Sequence, residues 1–507
     1  MTRAALDLCK RGCIAGRQVN VTSTPLMAPG RNCWKIADAG RFTLIVDAAD
    51  YFVAARAAML KAQHSIMLIG WDFDARIDLR GGADDGPEQL GDFILWLADR
   101  TPSLEIRLLR WDIGALKSVF RGRTLLWILR WKRHPRITLR LDSAHPMAAS
   151  HHQKIVVIDD CMAFCGGIDM TENRWDTRAH RDVEPTRKRP SGQDHGPWHD
   201  ATSAFDGAAA RVMGDMARQR WKAATGEDLT PCPDAHDCWP DGLEPDFRDN
   251  RLAVARTLPA YGDFTGCHEI ETAYLDLIAS AQHVIYAESQ YFASRRITAA
   301  IAQRLTEADG PEVVIINPQA AEGWLEPIVM DSARARLVDA LRRVDHHGRF
   351  RIFHPVTEAR AEIYVHSKIM IVDDLHFRVG SSNFNNRSMR MDTECDVILT
   401  TRNAAERARI TALRDDLVAE HLGVSPQTVT DSLAETGSLI RTIDRLRGDG
   451  RSLVPYELPD TSQIEDWIAE NEILDPHGPE EMLEPLDKRG LFKEWRGKIK
   501  QRLHLNR

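Results

Sequence analysis

The sequence predicts an α/β protein made of two similar halves, each with a central mixed sheet flanked by helices, packed about a pseudo-two-fold axis and followed by a small helical appendage. Three observations predict it. His152, Lys154 and Asp159 recur at the same spacing as His366, Lys368 and Asp373, and the same offset of 214 residues takes Asp160 to Asp374 and Gly166 to Gly380. Around each copy the chain alternates amphipathic helical stretches with short apolar runs, the pattern of a sheet covered by helices. At 507 residues the chain also exceeds what one ordinary core accommodates.

The elements follow in order. Residues 1–40 read as an irregular lead, and residues 41–225 as the first half. Within it, Asp47 to Gln63 carries Phe52, Ala55, Met59 and Ala62 on one helical stripe and runs into the apolar strand Ser65 to Ile69. Leu90 to Asp99 reads as a helix, Glu105 to Arg110 and Ile137 to Leu141 as strands, Lys154 to Ile158 as a buried strand, and Ser203 to Ala224 as a helix. Residues 226–262, rich in Pro, Asp and Gly, are expected to be a linker. The second half, residues 263–423, repeats the alternation. Helices are expected at His268 to Ser280, Ile297 to Glu307 and Asp331 to Val344, and strands at His283 to Ala287, Val313 to Ile316 and Lys368 to Val372. Residues 424–507 form the expected helical appendage, with a basic tail from Leu491.

Composition narrows the function. Hydrophobic residues at 43% and charged residues at 28% describe a globular chain, and a net charge of -8 argues against a nucleic-acid partner held by phosphate attraction. Nine cysteines lie scattered without CxxC pairs, so a reducing environment and no metal or other cofactor are expected. The amino terminus has no uninterrupted apolar run, and no segment approaches about 18 uncharged apolar residues, so neither a standard signal peptide nor a bilayer span is predicted. A location in the cytoplasm, at a membrane periphery or outside the cell by a signal-independent route all fit. The stretch from Phe120 to Arg136 interleaves Leu125, Leu126, Trp127, Ile128, Leu129 and Trp131 with basic residues, which suits either a core helix with basic ends or a helix lying in a headgroup layer.

The repeated triad carries the chemistry. Histidine is the side chain able to act as nucleophile or proton donor near neutrality, and two of them divide that work. One neutral imidazole attacks while the other delivers a proton to the leaving oxygen. The lysine two residues on points the same way from a strand, so Lys154 and Lys368 flank the histidines. A pair of fixed ammonium groups suits a phosphodiester, whose charge is carried into a five-coordinate transition state. Asp159 and Asp373 end apolar strands, where strand-end hydrogen bonding competes with direct chemistry. The segments Gly166 to Asp169 and Gly380 to Asn383 follow, and Asn383 can donate an amide hydrogen to a phosphate oxygen where its counterpart Asp169 cannot. The halves are therefore unlike.

These residues resemble the phospholipase D superfamily, whose signature is His-x-Lys-x4-Asp in two copies, each followed by a Gly-Gly or Gly-Ser segment. Asn173-Arg-Trp-Asp, Pro197-Trp-His-Asp, Gln219-Arg-Trp, Glu288-Ser-Gln-Tyr-Phe, Gly380-Ser-Ser-Asn-Phe-Asn-Asn-Arg-Ser-Met and Glu420-His-Leu-Gly extend the likeness to the catalytic core of eukaryotic-type enzymes, over Ser65 to Gly423. Ser289 departs from that group's usual Asn, and the chain leaves no room ahead of the core for its lipid-binding modules.

The resemblance implies a bilobed fold, and His152, Lys154, Asp159, His366, Lys368 and Asp373 as the catalytic set. It implies His152 as the nucleophile that forms a phosphohistidine and His366 as the general acid, with the reverse assignment open. Lys154, Lys368, Asn383 and Ser381 are expected at the phosphate, Asp176 and Glu394 as partners orienting the histidines, and Trp198 and His199 at the substrate rim. Hydrolysis of a glycerophospholipid to phosphatidic acid at a membrane surface is the leading expectation. Phosphatidyl transfer of the cardiolipin-synthase type ranks second, and a nuclease or other phosphodiesterase third. With both motifs in one chain, a monomer is expected.

Overall fold

The computed structural model describes residues 25–80, 86–112, 124–146, 149–233, 236–321 and 326–458. The basic tail and the first part of the Phe120 to Arg136 stretch lie outside them.

The first half contributes β1 (Lys35–Val46), β2 (Ser65–Gly70), β3 (Glu105–Trp111), β4 (Ile137–Asp142), β5 (Ile155–Ile158), β6 (Met162–Gly166), β7 (Trp198–His199) and β8 (Ala201–Asp206). The second contributes β9 (Phe247–Leu258), β10 (Cys267–His268), β11 (Val284–Glu288), β12 (Glu312–Ile316), β13 (Phe350–Val356), β14 (Tyr364–Val365), β15 (Ile369–Val372), β16 (His376–Gly380) and β17 (Glu394–Thr400), and β18 (Ser452–Pro455) follows. They form one mixed sheet in the order β18-β13-β12-β11-β15-β16-β17-β9-β1-β8-β6-β5-β2-β3-β4, while β10 pairs with β9 and β7 with β14. Read outward from the β1–β9 pair, the two halves have the same strand order. The pseudo-two-fold axis runs between β1 and β9, which pair antiparallel with Lys35 opposite Val254 and Phe42 opposite Phe247.

Apolar composition explains the layers. Strands β5 and β15 are buried along their whole length, as the runs Ile-Val-Val-Ile and Ile-Met-Ile-Val require. One core contains Phe42, Ile155 and Phe205 of the first half with Ile369, Phe377 and Val397 of the second, so the halves share apolar packing. Two further cores lie under the outer helices of each half. The helices Gly207–Thr225 and Ala404–Leu422 occupy equivalent places, and each ends on a left-handed glycine, Gly226 and Gly423, which no β-carbon obstructs.

Four expectations need correction. The stretch read as a linker contains β9, a central strand, because the Pro- and Asp-rich flanks hide the alternation in Arg251 to Leu258. The lead read as irregular to residue 40 already enters β1 at Lys35. The helix expected from Ser203 starts at Gly207, since Ala201–Asp206 is fully buried and pairs with β1 and β6. The appendage is helical at Pro426–Thr436 and Leu439–Leu446, but it then adds β18 to the sheet edge beside β13.

Candidate active site

Each triad is set by a tight hairpin. Asp159 and Asp160 both have positive φ, 48° and 53°, and Cys161 N donates to Ile158 O at 2.9 Å, which is a type I′ turn between β5 and β6. Asp373 and Asp374, at 53° and 56°, repeat it, with Leu375 N donating to Val372 O at 2.9 Å. Aspartate tolerates this backbone, and its carboxylate is used at once. Asp159 accepts the backbone N–H groups of Gln63, His64 and Ser65 at 2.5–2.8 Å, and Asp373 accepts those of Gln282, His283 and Val284 at 2.6–2.8 Å. The aspartates expected in the catalytic set therefore lie at the strand end, docking each hairpin on the start of its neighbouring strand.

The histidines are held across the axis. His152 Nδ1 is 3.0 Å from both carboxylate oxygens of Glu394, at the start of β17. His366 Nδ1 is 2.7 Å from Asp200 Oδ2, just before β8. Each imidazole thus meets a carboxylate from the opposite half. With Nδ1–H donating, Nε2 keeps its lone pair. Asp176, expected to orient a histidine, contacts neither His152 nor His366. Asp200 holds that position, and it stands inside the Pro197-Trp-His-Asp motif, where the sequence offered the signal without the role.

Small residues make room for these carboxylates. A β-carbon on Gly167 would lie 2.3 Å from Asp200 Oδ1. At the equivalent place Ser381 donates its hydroxyl to Glu394 and accepts Cys395 N at 3.0 Å. Ser381 is therefore engaged with Glu394 rather than turned to an open phosphate position.

The lysines break the symmetry. Lys154 Nζ donates to His152 O at 3.0 Å and pairs with Asp169 at 3.2 Å. Lys368 likewise donates to His366 O, but Asn383 stands where Asp169 stands in the other half, and no carboxylate reaches its ammonium within ion-pair distance among the described residues. Asn383 Nδ2 is 3.5 Å from Gln290 Oε1, Gln290 donates to Tyr364 OH at 3.0 Å, and Asn383 Oδ1 is buried without a partner. The Ser289 hydroxyl accepts Phe384 N at 3.1 Å, so it still anchors the segment carrying Asn383.

Burial and the surrounding cations set the protonation. Burial, then Lys154 and Lys368, push His152 well below its usual range, and burial with Lys368 does the same to His366. Burial also lowers Lys368 to about 7 and raises Glu394 to about 8. Asp200 behaves oppositely: burial pushes its carboxyl up, but His366 and Lys368 hold it well below the usual carboxylate range. A third cation, Arg174, stacks 4.3 Å over the Trp198 ring and adds to the field on His366 and Lys368.

His199, expected at the rim, is wholly buried. Its Nδ1 meets Glu420 at 2.9 Å and its Nε2 meets Glu288 at 2.9 Å. His180 joins Asp176 and Glu420, each at 3.0 Å, and His421 meets Glu288 at 3.1 Å. Arg187 pairs with Asp176 at 3.2 Å. This closed network lies beneath the second histidine, because His199 O accepts His366 N at 2.7 Å. Trp198 borders a cleft of about 220 Å³ together with Asn173, Arg189, Pro197 and Tyr364. Its ring stacks on Tyr364 at 4.7 Å and packs 5.2 Å from His366.

The chain is similar to several known proteins. Residues 58–237 match the family model described as phospholipase D, and residues 274–412 match that described as cardiolipin synthase, PLD-like domain. The chain is 25% identical over 475 residues to phospholipase D A of Dictyostelium discoideum, covering 76% of this chain but 36% of that protein. It is 24% identical over 519 residues to phospholipase D alpha 1 of Arabidopsis thaliana, covering 74% of this chain and 64% of the relative. The chain thus spans less than two thirds of either relative's length. The crystal structure of phosphatidylserine synthase of Haemophilus influenzae shares the fold, with a TM-score of 0.52 at 13% identity over 80% of this chain and 95% of that one. Two half-sites, crossed carboxylates and both family matches lead to one conclusion: the chain belongs to the phospholipase D superfamily.

Proposed function

We propose that the protein is a phospholipase D, cleaving the distal phosphodiester of a glycerophospholipid to phosphatidic acid and a free headgroup alcohol. The observation that carries this reading is the pair of neutral histidines held by opposed carboxylates, beside two lysines of which one lacks an ion-pair partner among the described residues. His152 Nε2 attacks phosphorus, the bond to the headgroup oxygen breaks, and His366 gives that oxygen its proton. Water then attacks the phosphohistidine, His366 takes the water's proton, and phosphatidic acid leaves. The ionised Asp200 supports an imidazolium at His366, which suits the proton donor's role. Lys154, Lys368 and the Asn383 amide hold the phosphoryl oxygens, and binding the anionic phosphodiester restores basicity to the second histidine. Because one chain supplies both half-sites, a monomer completes the site.

Transfer of the phosphatidyl group to an alcohol is a second reading, favoured by the cardiolipin-synthase description of the match over residues 274–412. Headgroup release from vesicles of mixed phospholipids, measured with and without an added primary alcohol, tests both. Release with phosphatidic acid as main product is the expected result. Headgroup release that depends on the added alcohol, with phosphatidyl alcohol formed and no phosphatidic acid in its absence, supports transfer, and neither product from any phospholipid overturns both readings.

A further inference from the structure

We propose that Cys161, His236 and Cys238 bind a zinc ion that fastens the loop ahead of β9 to the hairpin of the first motif. No sequence spacing announces the site, because Cys161 lies 75 residues before His236. The fold brings them together: one ligand atom from each of the three lies within 4.8 Å of the other two. His236 Nδ1 is 3.8 Å from Cys161 Sγ, and Cys238 Sγ is 3.2 Å from the same imidazole at Nε2. Ligands on a tetrahedral zinc, with bonds of about 2.0–2.3 Å, stand roughly 3.3–3.8 Å apart; with Nδ1 as the ligand, Cys161 is already at that spacing, and rotation of the Cys238 side chain brings its Sγ across from the Nε2 side.

The surroundings prepare His236 as a ligand. Its Nε2 lies 3.1 Å from the Lys61 carbonyl oxygen and 3.3 Å from Asp159 Oδ2. Donation of Nε2–H to these oxygens leaves Nδ1 as the lone-pair donor facing Cys161, the outer-sphere arrangement that orients metal-bound imidazoles. The backbone N–H of His236 also points at Cys161 Sγ, at 3.3 Å. Two thiols and an imidazole select zinc over calcium or magnesium. A third thiol, Cys232, lies on the same loop, whose backbone N–H at that residue donates to Asp160 at 3.0 Å. Binding converts each ligating thiol to a thiolate and releases one proton per cysteine.

The site stands outside the duplicated catalytic apparatus. Leu375 occupies the place of Cys161 in the second hairpin. The buried network of His180, His199 and His421 also gathers possible ligands, but its carboxylates already engage five of the six imidazole nitrogens. At Cys161 the ion's task is structural: it clamps the loop onto the turn whose Asp159 docks β5 on β2.

The test uses the full chain purified under reducing conditions without chelator. Elemental analysis is expected to find about one zinc per chain, and cobalt substitution to give thiolate-to-metal charge-transfer absorption of two or three thiolates. Stripping with a strong chelator lowers the Tm of the wild type and leaves that of the Cys161→Ser/Cys238→Ser variant unchanged. If that variant does not fold, titration of zinc into the stripped, reduced wild type against a chromophoric competitor decides, with saturation near one equivalent expected. No saturable zinc binding by the wild type, full zinc content in the variant, or a Cys161–Cys238 disulfide in anaerobically purified protein overturns the proposal.

Discussion

Glu394, the first residue of β17 in the second half, sits 3.0 Å from Nδ1 of His152 in the first, and Asp200 of the first half answers it at 2.7 Å from His366. Neither half holds its own motif histidine in register. The crossing places the pseudo-two-fold interface within the candidate site, and the proposed function makes the carboxylates sensitive positions.

Asp200→Asn is expected to lower kcat by about 10²-fold or more with KM little changed, because the amide cannot stabilise an imidazolium at His366. Asp176→Asn is the control. It weakens the contacts to His180 and Arg187, so steady-state kinetics should show less than a tenfold loss of kcat while thermal melts show a lower Tm. Equal loss of kcat in both variants counts against the assignment.

The roles of the two histidines separate by leaving group. His366→Ala is expected to cleave a phosphatidyl ester of p-nitrophenol far better than one of choline, since a phenolate departs without a proton donor. His152→Ala should remain inactive on both. Comparison of kcat/KM for the two substrates checks this, and the opposite pattern assigns His366 as nucleophile.

Lys368 makes the site costly to fold. The unfolded chain keeps that proton to about pH 10.4, whereas the folded protein releases it near 7, so between these values unfolding takes up a proton and stability rises with pH. Below pH 7 the full cost of a buried ammonium is present. Lys368→Met is therefore expected to abolish turnover while raising Tm at pH 6, with the gain shrinking steadily above pH 7. Calorimetry across that range checks it, and a Tm gain independent of pH refutes the buried-charge explanation.

Asp159→Ala and Asp373→Ala each strand three backbone N–H groups and a left-handed turn. A loss of about 2–4 kcal/mol in urea denaturation is expected for each. Turnover per folded molecule should change less than about tenfold, measured at a temperature where the variants remain folded.

The helix Thr124–Arg133 combines the two alternatives its sequence left open. Trp131 is buried, whereas Leu126 is 58% and Leu129 is 44% exposed beside Arg130, Lys132 and Arg133. Leu126→Ser/Leu129→Ser, and separately charge reversal at the three basic positions, should each weaken binding to anionic vesicles in a sedimentation assay. Unchanged binding in both removes this face as the membrane contact.

Much of this was legible without coordinates. The buried strands β5 and β15 and most helices announce themselves through periodicity, and the duplicated His-x-Lys segments mark the candidate reacting groups. Strand β9 was hidden by its turn-rich flanks. Asp200 was hidden for a different reason: its motif was visible, but the partner it serves lies 166 residues away. His199 read as a substrate-rim candidate because a lone histidine beside tryptophan gives no sign of Glu288 and Glu420 converging on it.

The sequence by itself determined the α/β class, the two-fold repeat, the two histidines with their lysines, and the inequality of Asn383 and Asp169, because all of these are local patterns or comparisons along one chain. Only the tertiary structure decided which carboxylate holds which histidine, that Asp159 and Asp373 serve the backbone, and that Cys161 meets His236 and Cys238. Those are contacts between residues far apart in the chain, and they follow from how the strands register across the axis between β1 and β9 rather than from any spacing a single strand or helix records.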